Sequence, residues 1–304
     1  MLVTLLVSLF LGHAALRSSV PDHVTVPLLI EGNRPYVDLT FRRADGSTRM
    51  ARFVVDSGGG GFILLEKLAR DLGVTWGKTS REEGSEFGVA TAPPSAFLGD
   101  LPLDLTPNRV IVIIGEENVV PKGAPGHAEG MFPGHLLAKY HVVFDYPGAQ
   151  FTVAKPGVLT PKGDALPMPV STPSGFPRTE IEIAGQTYGF LIDTGASFTM
   201  VSDALLKQWA AAHADWPVQP GAVGAATTLG GQTIATIQLP GGTWGRQHLA
   251  PFGMVSQSEG VFEKYMSRMM TAPIVGSLAG NVLKHFRVEL DYPNHTLYLQ
   301  PRSN

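Results

Sequence analysis

Phe53-Val54-Val55-Asp56-Ser57-Gly58 and Phe190-Leu191-Ile192-Asp193-Thr194-Gly195 are the two stretches whose reading decides the fold. Each is an apolar run that ends in Asp-(Ser/Thr)-Gly, and the two aspartates stand 137 residues apart in a chain of 304. Val, Ile and Phe favour a buried strand, and Asp-Ser-Gly or Asp-Thr-Gly favours a tight turn. The pattern therefore predicts a carboxylate held at the end of a core strand. One such motif is an ordinary turn; two in matching surroundings indicate an internal repeat.

The repeat continues downstream. Residues 129–147, which end in Val142-Val143-Phe144-Asp145-Tyr146-Pro147, align without gaps on residues 275–293, which end in Val288-Glu289-Leu290-Asp291-Tyr292-Pro293. The offset here, from Asp145 to Asp291, is 146, so the second copy is longer by nine residues between its first Asp and its closing block. Upstream, Pro35 to Phe41 and Pro177 to Ile183 read as equivalent strands leading to each Asp. Short helices are expected at Leu64 to Leu72, Ser202 to Ala212, His135 to Tyr140 and Asn281 to Phe286, and closing hairpins at Pro147-Gly148 and Pro293-Asn294. Short Val-, Ile-, Phe- and Thr-rich segments with frequent turn residues predict an all-β class, mainly β with short helices. The domain reading is a first copy over 24–155, a Pro-rich connection over 156–175 that adds a strand to the second copy, and a second copy over 176–302.

Composition narrows the classes. Apolar residues are 44% and charged residues 16%, which fits a globular chain with a large core. Gly 35 and Pro 24 suit many turns. A net charge of −3 without a Lys/Arg cluster gives no electrostatic footprint for nucleic acid. The absence of cysteine excludes disulfides, thiolate catalysis and Cys-based metal sites. Leu2 to Leu11 followed by Gly12-His13-Ala14-Ala15 reads as a signal peptide over 1–15, and so as export. That run is too short to span a bilayer comfortably. The histidines form no His-Glu-x-x-His motif, and neither Gly58 to Gly61 nor Gly77-Lys78-Thr79 completes a phosphate-binding loop, so no metal or cofactor is expected.

Two facing carboxylates suit hydrolysis of a peptide bond. Like charges a few ångströms apart do not both ionise readily, so the pair shares one proton; one carboxylate then acts as base towards water and the other as acid towards the carbonyl. The Ser57 and Thr194 hydroxyls are placed to bond across the two turns, and Gly58 and Gly195 allow a tight turn close to the carboxylates.

With these motifs and the closing Phe-x-Val-x-Leu-Asp-Tyr-Pro strand, the chain resembles the retropepsin-like aspartyl proteases, closest in style to the bacterial tandem-domain members; the resemblance covers Val24 to Pro301. It implies two pseudo-twofold-related lobes, each a closed β-barrel, with the site between them. It also implies that Asp56 and Asp193 are catalytic and that Ser57, Gly58, Thr194 and Gly195 complete the active-site loops. A flap would cover the cleft. Gly88, within Gly84 to Ala92, and Gly230 and Gly231, within Thr228 to Thr233, are the candidates for its tips. The expected substrate is a peptide or protein, and the expected assembly is a monomer carrying its own pseudo-dimer.

Other readings accompany this one. The Gly59-Gly60-Gly61 run, which follows the first motif where relatives commonly carry Ala or Ser, motivates a peptide-binding protein on the same fold; pairing of each lobe with another chain is a third arrangement. Asp145 and Asp291 read as strand-end turn residues rather than acids. His135, His141 and His285 are expected at the surface or as helix caps, and Trp76, Trp209, Trp216 and Trp244 in the core or cleft walls.

Overall fold

The computed structural model describes residues 20–82, 85–106, 109–120, 124–220 and 233–302. The expected leader at 1–15 lies outside them, as do Gly84, Gly230 and Gly231. The chain is mainly β, with a few short helices.

Three sheets carry the fold. The first is built around the Asp56 strand. Thr48–Asp56 pairs antiparallel with Arg34–Arg42 and parallel with Gly130–Pro133, which in turn pairs antiparallel with Phe62–Leu65; that strand runs parallel to Val110–Ile114. The second sheet repeats these relations. Gln186–Ile192 pairs antiparallel with Arg178–Ile183 and parallel with Gly276–Leu278, which is antiparallel to Thr199–Ser202, itself parallel to Phe252–Gln257. The register agrees too, with Phe53 opposite Gly130 and Phe190 opposite Gly276.

The third sheet takes strands from both halves. Its order is His23–Pro27, Gln150–Ala154, His141–Asp145, Phe286–Asp291, Thr296–Pro301 and Asp164–Pro167. The two closing hairpins meet along His141–Asp145 and Phe286–Asp291, which pair antiparallel, so the repeated Asp-Tyr-Pro blocks lie at opposite ends of that pairing, Asp145 opposite Arg287 and Asp291 opposite His141. The expected strand within 156–175 is Asp164–Pro167, and it extends this shared sheet.

The barrel expectation needs correction. Strand pairing in the first sheet runs as an open path from Ser80–Glu82 to Leu101–Leu103, and in the second from Val218–Pro220 to Gln247–Leu249, with no pairing that closes either ring among the described residues. Each of these edge strands is three residues long, too short to present an extended row of unpaired backbone groups.

Helices are shorter than the sequence suggests. The segment from Leu64 begins as the strand Phe62–Leu65, and only Glu66–Asp71 is helical. Gly134–Leu137 and Gly280–Leu283 are single turns, and Phe286 already belongs to a strand. Asp203–Ala212 matches expectation: Ser202 Oγ accepts from Leu205 N at 3.3 Å as the N-cap, and the helix buries Leu206 and Trp209.

Side-chain alternation sorts the core. Phe53, Val55, Phe190 and Ile192 face one large apolar cluster that also takes Phe144 and Phe151 from the shared sheet. Val54 faces a smaller cluster with Tyr36, Val120 and Met131, and Leu191 one with Met200, Phe262 and Met266. The connection after Phe252–Gln257 in the second copy carries Val261–Tyr265 and Met266–Met269, two short helices that contribute Phe262 and Met266 to that last cluster.

Two histidines fit the surface reading, His135 half-buried and His285 exposed, but His141 does not. His141 is 1% exposed; its Nε2 lies 2.9 Å from Glu289 Oε2, and Glu289 also accepts from Arg287 and from Lys162 N. The cause is the shared sheet, which brings a strand of the second half over a position that would be solvent-facing in the first half alone. Trp209, Trp216 and Trp244 are buried, while Trp76 is half-buried beneath the Arg70 guanidinium.

Candidate active site

Asp56 is the last residue of its strand, opposite Pro133, and Asp193 follows its strand directly, with its N–H donating to Leu278 O at 2.9 Å. Both carboxyls are drawn into their own turns. Gly58 N donates to Asp56 Oδ1 at 2.9 Å, and Ala196 N to Asp193 Oδ1 at 3.0 Å. The one-turn helices of the closing blocks support both loops from behind: Gly134 N donates to Gly59 O and Gly280 N to Ala196 O, each at 3.1 Å.

The two turns are tied to each other by four reciprocal bonds. Ser57 Oγ donates to Ile192 O at 2.6 Å and accepts from Thr194 N at 3.0 Å. Thr194 Oγ1 donates to Val55 O at 2.7 Å and accepts from Ser57 N at 3.0 Å. Both hydroxyls are wholly buried, so each bond forms where water does not compete.

The turns therefore approach so closely that Gly195 leaves no room for a side chain and Gly58 leaves little. A Cβ on Gly195 would stand 2.3 Å from the carboxyl carbon of Asp56, and one on Gly58 would stand 3.2 Å from that of Asp193. The glycine run of the first loop has a similar cause. A Cβ on Gly59 would meet Met131 Sδ at 2.6 Å, and one on Gly61 would meet Ile111 at 2.8 Å, whereas Gly60 faces open space.

Asp56 and Asp193 are half-buried and hold their protons above the ordinary carboxylate range. Desolvation is the main cause for both; for Asp56 the charge of Asp193 adds to it, and Asp56 is raised further. Beneath them lie the buried phenols of Tyr146 and Tyr292, raised chiefly by burial and then by Asp193 and Asp56 respectively. A pocket opens beside Asp193, walled by Leu191, Met200, Phe262 and Met266.

No protein-family model matches the chain, and no curated protein matches it. Among the described residues no group of three or more His, Asp or Glu is arranged to hold a metal ion, and no helix is long and apolar enough to cross a membrane.

The six loop residues Asp56, Ser57, Gly58, Asp193, Thr194 and Gly195 come together. Gly88 does not join them as a turn tip. It sits inside the strand Ser85–Val89, where a Cβ would meet Trp76 Cδ1 at 2.5 Å, so close packing accounts for it. Asp145 and Asp291 cap their hairpin turns, Asp145 Oδ1 accepting from Gly148 N at 2.8 Å and Asp291 Oδ2 from Asn294 Nδ2 at 2.8 Å. Sequence reasoning missed Arg34, whose Nε donates to Gly195 O at 2.8 Å, and the two tyrosines. The tyrosines carried a signal, their recurrence in Asp-Tyr-Pro; Arg34 carried none, because the second copy has Phe176 at the equivalent place.

Proposed function

We propose that the protein is an aspartic endopeptidase in which Asp56 and Asp193 form one shared site. In this reading the two halves are pseudo-twofold-related lobes of retropepsin-like type, the cleft lies between them, and a single chain suffices. The observation that supports it most is the reciprocal Ser57–Thr194 bonding, which holds two proton-retaining carboxyls against each other.

The chemistry follows from a pair that shares one proton. The protonated carboxyl serves as the acid towards the scissile carbonyl, while the ionised one takes a proton from water. Water attacks the carbonyl carbon, and collapse of the tetrahedral intermediate releases the amine with a returned proton. An extended peptide occupies the cleft between the two halves and pairs through its backbone.

The test is cleavage of a mixed peptide library across a pH series, with and without pepstatin, using the wild type, Asp56→Asn and Asp193→Asn. Pepstatin-sensitive cleavage that disappears in both variants supports one shared site. Full activity in either variant, or no cleavage by the folded wild type at any pH, overturns the proposal.

A further inference from the structure

Arg34 is 3% exposed and lies in the strand that precedes the Asp56 strand. It reaches across to the other half, where its Nε–H donates to Gly195 O. The neighbouring Asn33 does the same, with Nδ2 donating to Ser197 O at 3.2 Å. Arg34 Nη1 is buried and has no hydrogen-bond partner, and no carboxylate stands within ion-pair contact of the guanidinium among the described residues.

A guanidinium does not discharge itself by losing a proton, and a buried cation without an opposite charge is costly. The carboxyl groups whose charge acts on Arg34 are Asp193 and Asp56, and among the described residues these two likewise have no cation in ion-pair contact. A pair sharing one proton carries one negative charge, and Arg34 carries one positive charge. The repeat makes this one-sided, since Pro35 aligns with Pro177 and so Arg34 with the buried Phe176.

We propose that Arg34 is a positioning residue that clamps the Gly195 turn and acts as the buried counter-charge of the Asp56–Asp193 pair. Its consequence for catalysis rests on the proteolytic reading above; the charge pairing itself does not. The other titratable groups facing this cluster are Tyr36 beside Arg34, Glu31 and Arg52 beyond Tyr36, Tyr146 against Asp193 and Tyr292 against Asp56. Burial raises the three phenols, so they stay neutral across the working range and leave Arg34 to balance the pair.

The experiment has two arms. The first measures thermal unfolding at pH 7 for Arg34→Gln in the wild type and in the doubly neutralised Asp56→Asn/Asp193→Asn protein. A counter-charge predicts a clear fall in Tm in the wild type and a much smaller fall, or a rise, in the neutral background. Equal falls in both backgrounds reduce Arg34 to a backbone clamp and overturn the proposal. The second arm records the pH–rate profile. Without the positive charge both carboxyls retain protons longer, so Arg34→Gln moves both limbs to higher pH by about one pH unit, while Arg34→Lys keeps them near the wild-type position. An unmoved profile in Arg34→Gln also overturns it. If no variant cleaves peptide, the proteolytic reading fails and the unfolding arm decides this inference alone.

Discussion

Replacing Asp56 with asparagine separates the role of its charge from the role of its shape. In the folded chain its carboxyl is desolvated and faces Asp193, so its pKa is raised well above 3.8. A raised folded-state pKa contributes stability that is complete below the unfolded value and is lost as pH rises towards the folded one. At pH 7 the unfolded carboxyl is ionised while the folded one retains its proton. Each pH unit between 3.8 and 7 is worth about 1.4 kcal/mol, which sets a ceiling of about 4 kcal/mol. Asp56 is half-buried rather than sealed, so solvent screening brings the expected penalty to about 2 kcal/mol. Asparagine imitates the neutral carboxyl and keeps an acceptor for Gly58 N. Asp56→Asn should therefore be about 2 kcal/mol more stable than the wild type at pH 7, equal to it near pH 4, and inactive throughout. Urea unfolding followed by circular dichroism at both pH values, beside peptide cleavage, measures this. A stability difference that is the same at pH 4 and pH 7 refutes the reasoning.

Thr194→Val removes a hydroxyl that makes two buried bonds and should lower stability by about 1–3 kcal/mol, whereas Thr194→Ser stays near the wild type; equilibrium unfolding distinguishes them. Gly195→Ala puts a methyl where the Asp56 carboxyl stands, so cleavage should fall on the order of 100-fold while the protein still folds, as steady-state kinetics and circular dichroism will show. Glu289→Ala leaves His141 and Arg287 without their buried partner and should cost about 3–5 kcal/mol, read as a lower urea midpoint with unchanged slope. Cleavage by the wild type should decline on the alkaline side as the second carboxyl of the pair ionises, and a pH–rate profile without that limb argues against a shared proton.

The residues of the candidate site were legible because their signal is local. An apolar run that alternates between two clusters, followed by Asp-Ser-Gly or Asp-Thr-Gly, specifies a strand and a turn within a few residues. Its recurrence specified that there are two. The hairpins after Asp145 and Asp291 were legible for the same reason. What lay beyond the sequence was set by partners far along the chain. The Gly59-Gly60-Gly61 run read only as a departure from relatives until Met131 and Ile111 appeared against Gly59 and Gly61. Gly88 looked like a turn tip until Trp76 was found over it. Among the described residues the first and second sheets close no ring, a matter of strand pairing that local pattern does not encode. His141 became a core residue only because a strand of the other half pairs over it, and Arg34 joined the carboxyl pair only because the halves meet there. Sequence thus determined the two carboxylates and their turns, through hydrophobic alternation and turn chemistry. Tertiary structure decided which charges share a buried space, because desolvation and Coulomb interaction depend on distance in space and not on distance along the chain.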